Sequence, residues 1–170
     1  MESHRDAPTV LLHHVGGFRF RVRFAEPRGR DLITDEPEPL GLGMGPNPTE
    51  LLAAAVGNCL ASSLLYCTHK AHLDLAGLEV EVDVETRRNE QGRLRIPTIR
   101  VVLEPSTDPD THERMARCRE VFESFCTVTQ SLRQGIDVEV AFAPKPARTN
   151  AFPRVPRIVG PCTVMKTIHD

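Results

Sequence analysis

The sequence predicts an α+β fold, and three observations carry that prediction. Apolar and charged residues alternate with a period of two at 18–24, 78–85 and 136–142, the mark of half-buried strands. One long apolar helix is announced by a strong cap at Asn47. The strands are joined by short Gly-containing turns, so the sheets are antiparallel, and strands and helices are grouped rather than alternating.

The elements follow in order. Val10 to Val15 is an apolar run, closed by the hairpin signal Gly16-Gly17. Phe18, Phe20, Val22 and Phe24 then share one strand face, and Arg19, Arg21 and Arg23 the other. Asp31 to Thr34 adds a short strand after a turn through Pro27, Gly29 and Arg30, and residues 35–46, DEPEPLGLGMGP, are loop. Asn47 as N-cap, Pro48 at the first helical position and Glu50 at the third open a helix through LLAAAVGNCLASSLLYCTHKAH. It is apolar on nearly every side, which predicts burial all round, with Gly77 in the turn beyond. Leu78–Glu85 and Leu94–Glu104 form a hairpin, with Pro97 marking an edge or bulge. A helix from about Asp108 places Met115, Cys118, Val121, Phe122 and Phe125 at helical spacing. A break falls near 124–127, a further helix spans Val128–Arg133, Gly135 closes it, and Ile136–Phe142 is a last strand. The domain therefore spans 1–142, and 143–170, with five prolines, is an extended basic arm.

Composition excludes several functions. With 21 Lys+Arg against 23 Asp+Glu, no tryptophan and one tyrosine, neither a nucleic-acid electrostatic footprint nor a base-stacking platform is present. The start, MESHRDAPTV, lacks the layout of a secretory signal. The apolar stretch Leu51–Cys67 is interrupted by Gly57, Asn58, Ser62 and Ser63 and is slightly short for a membrane span, so a cytoplasmic protein with no membrane contact is expected. His13, His14, His69 and His72 have no metal-ligand spacing, GLGMGP is not a phosphate loop, and no cofactor is expected.

Five cysteines, an odd number with no CxxC, point to a reducing compartment and to either core residues or reactive thiols. Cys59 lies mid-helix and, taken alone, reads as a small core hydrophobe. Cys126 lies where one helix ends and the next begins, and a helix N-terminus favours thiolate. Cys67 and Cys118, each eight residues from one of these, read as packing residues, and Cys162 as an incidental thiol in the arm.

Two segments change that balance. GPNPTELLAAAVGNCLASSL resembles the G-x-N-P-x-E-L-L-x-A-A-x-x-x-C signature of the OsmC/Ohr family, the osmotically inducible and organic hydroperoxide resistance proteins. ESFCTVTQSL is similar to the second cysteine segment of that family, and the VEVDVE hairpin and the VEVAF strand match in order, so the resemblance covers roughly residues 10–142. It implies an OsmC-like fold, with antiparallel sheets around a long buried central helix in an intertwined homodimer. It also implies a thiol-dependent peroxidase. Cys59 attacks an organic hydroperoxide and becomes a sulfenic acid, Cys126 resolves it as a disulfide, and an external dithiol, often lipoyl, restores both.

The thiolate needs a cation, and an arginine held by a carboxylate suits it. Arg19, Arg21 and Arg23 on the strand face are candidates, Arg19 and Arg21 foremost, with Arg28 and Arg30 as alternatives, and Glu50 is the candidate carboxylate. Thr49 stands where the hydroperoxide-resistance branch carries its carboxylate, and Glu50, one place on, equally reads as a capping-box residue. Thr127 stands where the family usually has proline. These differences place the chain in the broader OsmC-like branch and keep open a second reading, a non-catalytic binder of small apolar ligands or an oxidant sensor.

Overall fold

Two antiparallel sheets flank one long helix in the structure, a computed structural model that describes residues 10–24, 30–106 and 112–142. The first sheet has the order β1 (Val10–Gly16), β2 (Arg19–Phe24), β3 (Leu32–Thr34). Its first hairpin pairs Val10 with Phe24 and Gly16 with Arg19, so the two-residue turn is Gly17-Phe18, one place later than Gly16-Gly17. The ladder runs on through Gly16 because a glycine can hold its φ of 127°, and Gly17 supplies φ 58° in the turn itself.

The loop after β3 is organised by one buried carboxylate. Asp35 is 2% exposed and accepts hydrogen bonds from the amides of Glu36 (2.9 Å), Leu42 (3.0 Å) and Met44 (3.2 Å). Burial pushes its pKa up, but these amides and the nearby Arg19 charge outweigh that and hold it below the ordinary carboxylate value.

Helix α1 (Pro48–Lys70) starts as its sequence requires. Asn47 Oδ1 accepts from the Glu50 amide (3.0 Å), and Glu50 Oε2 accepts from the Asn47 amide (2.7 Å). It ends without glycine. The Leu73 amide reaches the Thr68 carbonyl (2.9 Å) and the His72 amide reaches the His69 carbonyl (3.1 Å), a Schellman closure that puts His72 at φ 52°. The turn expected at Gly77 is therefore made at His72, and Gly77 opens the next strand.

That hairpin, β4 (Gly77–Arg88) and β5 (Leu94–Ser106), pairs Gly77 with Ser106 and Val82 with Val101. Its register shifts between Glu85 and Arg87, opposite the strand segment containing Pro97. α1 lies on β4, and Gly57 sets how closely. A Cβ there would fall 2.7 Å from Val82 Cγ2.

On the other side of α1 run α2 (His112–Val121), a 3-10 turn (Phe122–Phe125) and α3 (Thr127–Gln134), closed by Gly135 at φ 78°. The core forms where these elements meet α1. It comprises Val56, Leu60 and Leu64 with Leu73, Met115, Cys118, Phe122 and Cys126. Each large apolar side chain there contributes roughly 1.5–3 kcal/mol through burial.

Three expectations need correction. α1 is not buried all round. Ala54, Ala55, Asn58, Ser62, Leu65 and Tyr66 form an exposed stripe, because β4, β5, α2 and α3 cover the opposite faces of the helix and leave this one uncovered. Nor is α1 short for a membrane span, since by length and composition its 23 residues suffice to cross one. The alternating segment Ile136–Phe142 also forms no strand, and Val138, Val140 and Phe142 are 80%, 79% and 101% exposed. Alternation selects a face but supplies no ladder partner, and no described strand pairs with this segment. The proposed arm at 143–170, with Cys162, lies outside the described residues.

Candidate active site

Cys59 is half-buried at the middle of α1, and Cys126 is completely buried at the break between the 3-10 turn and α3. The fold brings the two thiols together, close enough for each to shift the other's proton affinity. Cys126 is the N-cap of α3. Its Sγ accepts from the Thr129 amide (3.4 Å) and lies 3.1 Å from Thr129 Oγ1. The Thr127 and Val128 amides act on Cys59 as well. Both sulfurs therefore meet at the positive end of a helix.

Their proton affinities diverge. Burial and then the hydrogen bond to Cys126 push the Cys59 thiol up, against the pull of the Val128 and Thr127 amides. Burial also pushes Cys126 up, but hydrogen bonds from Cys59, the Thr129 hydroxyl and the Thr129 and Val128 amides outweigh it and bring that thiol below its ordinary value. The pair thus holds its negative charge preferentially on Cys126, with Cys59 as the donor.

Access divides the two in the opposite sense. Cys59 lines a cavity of about 590 Å³ between the first sheet and α1, walled by Leu12, Val22, Phe24, Leu51 and Ala55. Cys126 is 0% exposed. On the far side of the pair, Thr129 lines a second cavity of about 470 Å³ with Leu60, Val101 and Phe122.

The other candidate residues are placed elsewhere. Glu50 spends its carboxylate on the capping box, about 13 Å along the axis from Cys59. Arg19 donates from Nε to the Gly16 carbonyl (3.4 Å) and from Nη1 to Met44 Sδ (3.6 Å), and Arg21 lies 3.8 Å from Asp31. Val22 and Phe24 face the cavity, so strand alternation turns Arg19, Arg21 and Arg23 to the opposite side of the sheet. Arg28 lies outside the described residues.

Three features escaped the sequence reading. Thr129 is the polar neighbour of Cys126, and its position three residues after an N-cap was the signal. Arg133 and Glu123, paired at 2.8 Å, place an arginine held by a carboxylate on the wall of the second cavity. Cys67 and Cys118 are not separate packing residues. Their sulfurs lie 2.9 Å apart. The equal eight-residue offsets, 59 to 67 and 118 to 126, were the sign that two antiparallel segments would pair both sets.

This combination of fold and cysteine pair defines a class. The structure is similar to that of an OsmC-like protein of Mycoplasma pneumoniae (TM-score 0.61, 14% identity, covering 78% of this chain and 89% of that one). It is also similar to an organic hydroperoxide resistance protein OsmC of Legionella pneumophila (0.55, 18%, covering 81% and 96%). The organic hydroperoxide resistance protein OhrB of Bacillus subtilis matches as well (0.56, 20%, covering 78% and 95%). At these identities the likeness establishes the α+β fold. The family model for OsmC-like proteins matches residues 41–141, and the chain belongs to that family. A search of the curated proteins found no match.

Proposed function

We propose that this protein is a thiol-dependent peroxidase that reduces organic hydroperoxides, with Cys59 as the attacking and Cys126 as the resolving sulfur. The observation that carries this reading is the contact between the two thiols at the N-terminus of α3, with only Cys59 facing an apolar cavity.

The chemistry follows from those two properties. A hydroperoxide with an apolar group enters the cavity and meets Cys59. The Cys59 proton passes to the neighbouring Cys126 sulfur, and the Thr127 and Val128 amides support the thiolate left behind. That sulfur attacks the terminal peroxide oxygen, the O–O bond breaks, Cys59 becomes a sulfenic acid, and the departing alkoxide takes a proton from solvent to leave as the alcohol. Cys126, kept acidic by α3 and Thr129, then attacks the Cys59 sulfenic acid. The S–S bond forms, water departs, and an external dithiol such as a lipoyl group reduces the disulfide by exchange.

The active form proposed is a homodimer. Val10, Leu12, Phe20 and Phe24 of the first sheet and Leu65 and Tyr66 of α1 are exposed in the protomer, more apolar surface than an isolated chain ordinarily leaves to water. The proposed compartment is the cytoplasm, in keeping with four described cysteines that are all free. Light scattering in solution checks the assembly, with twice the chain mass expected.

The test is consumption of cumene hydroperoxide with dihydrolipoamide. Turnover by the wild type and none by Cys59→Ser supports the reading; a wild type inert with every dithiol rejects it. The second reading, an apolar-ligand binder without turnover, is favoured by the commitment of Arg19 and Arg21 away from Cys59. Saturable binding of cumyl alcohol by a wild type that consumes no peroxide would establish it.

A further inference from the structure

The mechanism leaves one pair of nucleophilic groups unused. Two turns beyond Cys59, α1 carries Cys67, and on the segment facing it α2 carries Cys118. We propose that Cys67 and Cys118 are a second redox site, a dithiol that organic hydroperoxides close to a disulfide, fastening α2 to α1 independently of Cys59 and Cys126.

Geometry comes first. The sulfurs lie 2.9 Å apart, closer than two sulfurs in simple contact, so little movement separates the dithiol from the bond. Cys67 stands about 12 Å along α1 from Cys59 and about 80° around it. That distance forbids direct exchange between the two pairs in the folded protein, so the second pair needs its own oxidant. Cys67 is half-buried and gives that oxidant a way in, whereas Cys118 is 2% exposed. Burial, then the hydrogen bond and charge of Cys67, push the Cys118 thiol up to about 11, although the Arg114 charge pulls the other way. Cys118 therefore keeps its proton.

The reaction balances with an organic hydroperoxide as the oxidant. Cys67 gives its proton to solvent, and its sulfur attacks the terminal peroxide oxygen. The O–O bond breaks and the alcohol leaves, which makes Cys67 a sulfenic acid. The Cys118 sulfur then displaces that oxygen as water and loses its own proton. Two electrons pass from the two sulfurs to the peroxide. The crosslink joins residues 51 apart, which restricts the unfolded chain and stabilises the fold. The raised Cys118 thiol makes closure of this pair slower than that of Cys59 with Cys126.

The experiment uses the full-length Cys59→Ser/Cys126→Ser chain treated with cumene hydroperoxide. The readouts are intact mass, peptide mapping after alkylation, and thermal unfolding. The result expected is a loss of two hydrogens, a Cys67–Cys118 linkage, and a rise in Tm of roughly 5 °C that dithiothreitol reverses. Full alkylation of Cys67 and Cys118 after prolonged excess peroxide overturns the proposal, as does oxidation of Cys67 to sulfinic acid without linkage. If the double variant does not fold, the same map on the wild type decides, since the two linkages give different peptides. Because the readout is linkage and not turnover, its failure leaves the peroxidase reading standing, and the reverse also holds.

Discussion

The two cysteine pairs are built by the same packing and differ in what surrounds them. α1 runs antiparallel to the segment 112–126, so the sulfurs of 59 and 126 and those of 67 and 118 meet two helical turns apart. One pair sits against the first amides of α3 and opens onto an apolar cavity. The other lies two turns away from those amides, and Cys118 is held at about 11. Proximity alone therefore does not make a reactive thiol. Stabilising the charged form and opening onto an apolar cavity are separate properties that set how fast a thiol reacts, and of the two pairs Cys59–Cys126 combines them.

The largest expected effect is on turnover. Cys59→Ser should lower hydroperoxide consumption at least about a thousandfold, as loss of a nucleophile does, whereas Cys67→Ser should stay within about twofold, the scale of a substitution remote from the chemistry. A steady-state assay with both variants separates the pairs, and equal losses would break the distinction. Next in size is the seat of α1, on which both pairs depend. Gly57→Val drives a side chain into Val82 and should destabilise the fold by about 1–3 kcal/mol, measured by urea unfolding.

A smaller effect isolates the electrostatics of the first pair. Thr129→Val removes the hydroxyl beside Cys126, so that thiol's pKa rises toward its ordinary value. At a pH below both values the thiolate fraction falls, and closure of the 59–126 disulfide should slow severalfold. The deficit should disappear at a pH where both proteins are fully ionised. Stopped-flow thiol loss across pH tests the sign, and a deficit that grows with pH would contradict it. The smallest effect lies beyond the second pair. His72→Gly relieves a positive φ at the end of α1 and should stabilise the protein by about 0.5–1 kcal/mol without altering turnover, read as a rise in Tm.

How much of this was legible depends on range. The capping box at Asn47 and Glu50, the alternation of β4, the bulge opposite Pro97 and the break at Cys126 follow from residues a few positions apart. The turn at His72 was missed because a Schellman closure depends on carbonyl geometry that a histidine does not advertise. The exposed stripe of α1 was missed because apolar character says what seeks burial and not what covers it. Glu50 could be read as cap or catalyst from its position alone, and only the backbone amide at 2.7 Å showed where its carboxylate goes.

By itself the sequence determined the local elements, the family and two cysteines worth pairing, because caps, periodicity and motifs are written in neighbouring residues. Tertiary structure alone decided which sulfurs meet, which is reachable and which is acidic. Those properties depend on how α1 seats against a segment some 60 residues away. They also depend on where one helix happens to begin, since a thiol's proton affinity is set by the atoms around it in space and not by its neighbours in the chain.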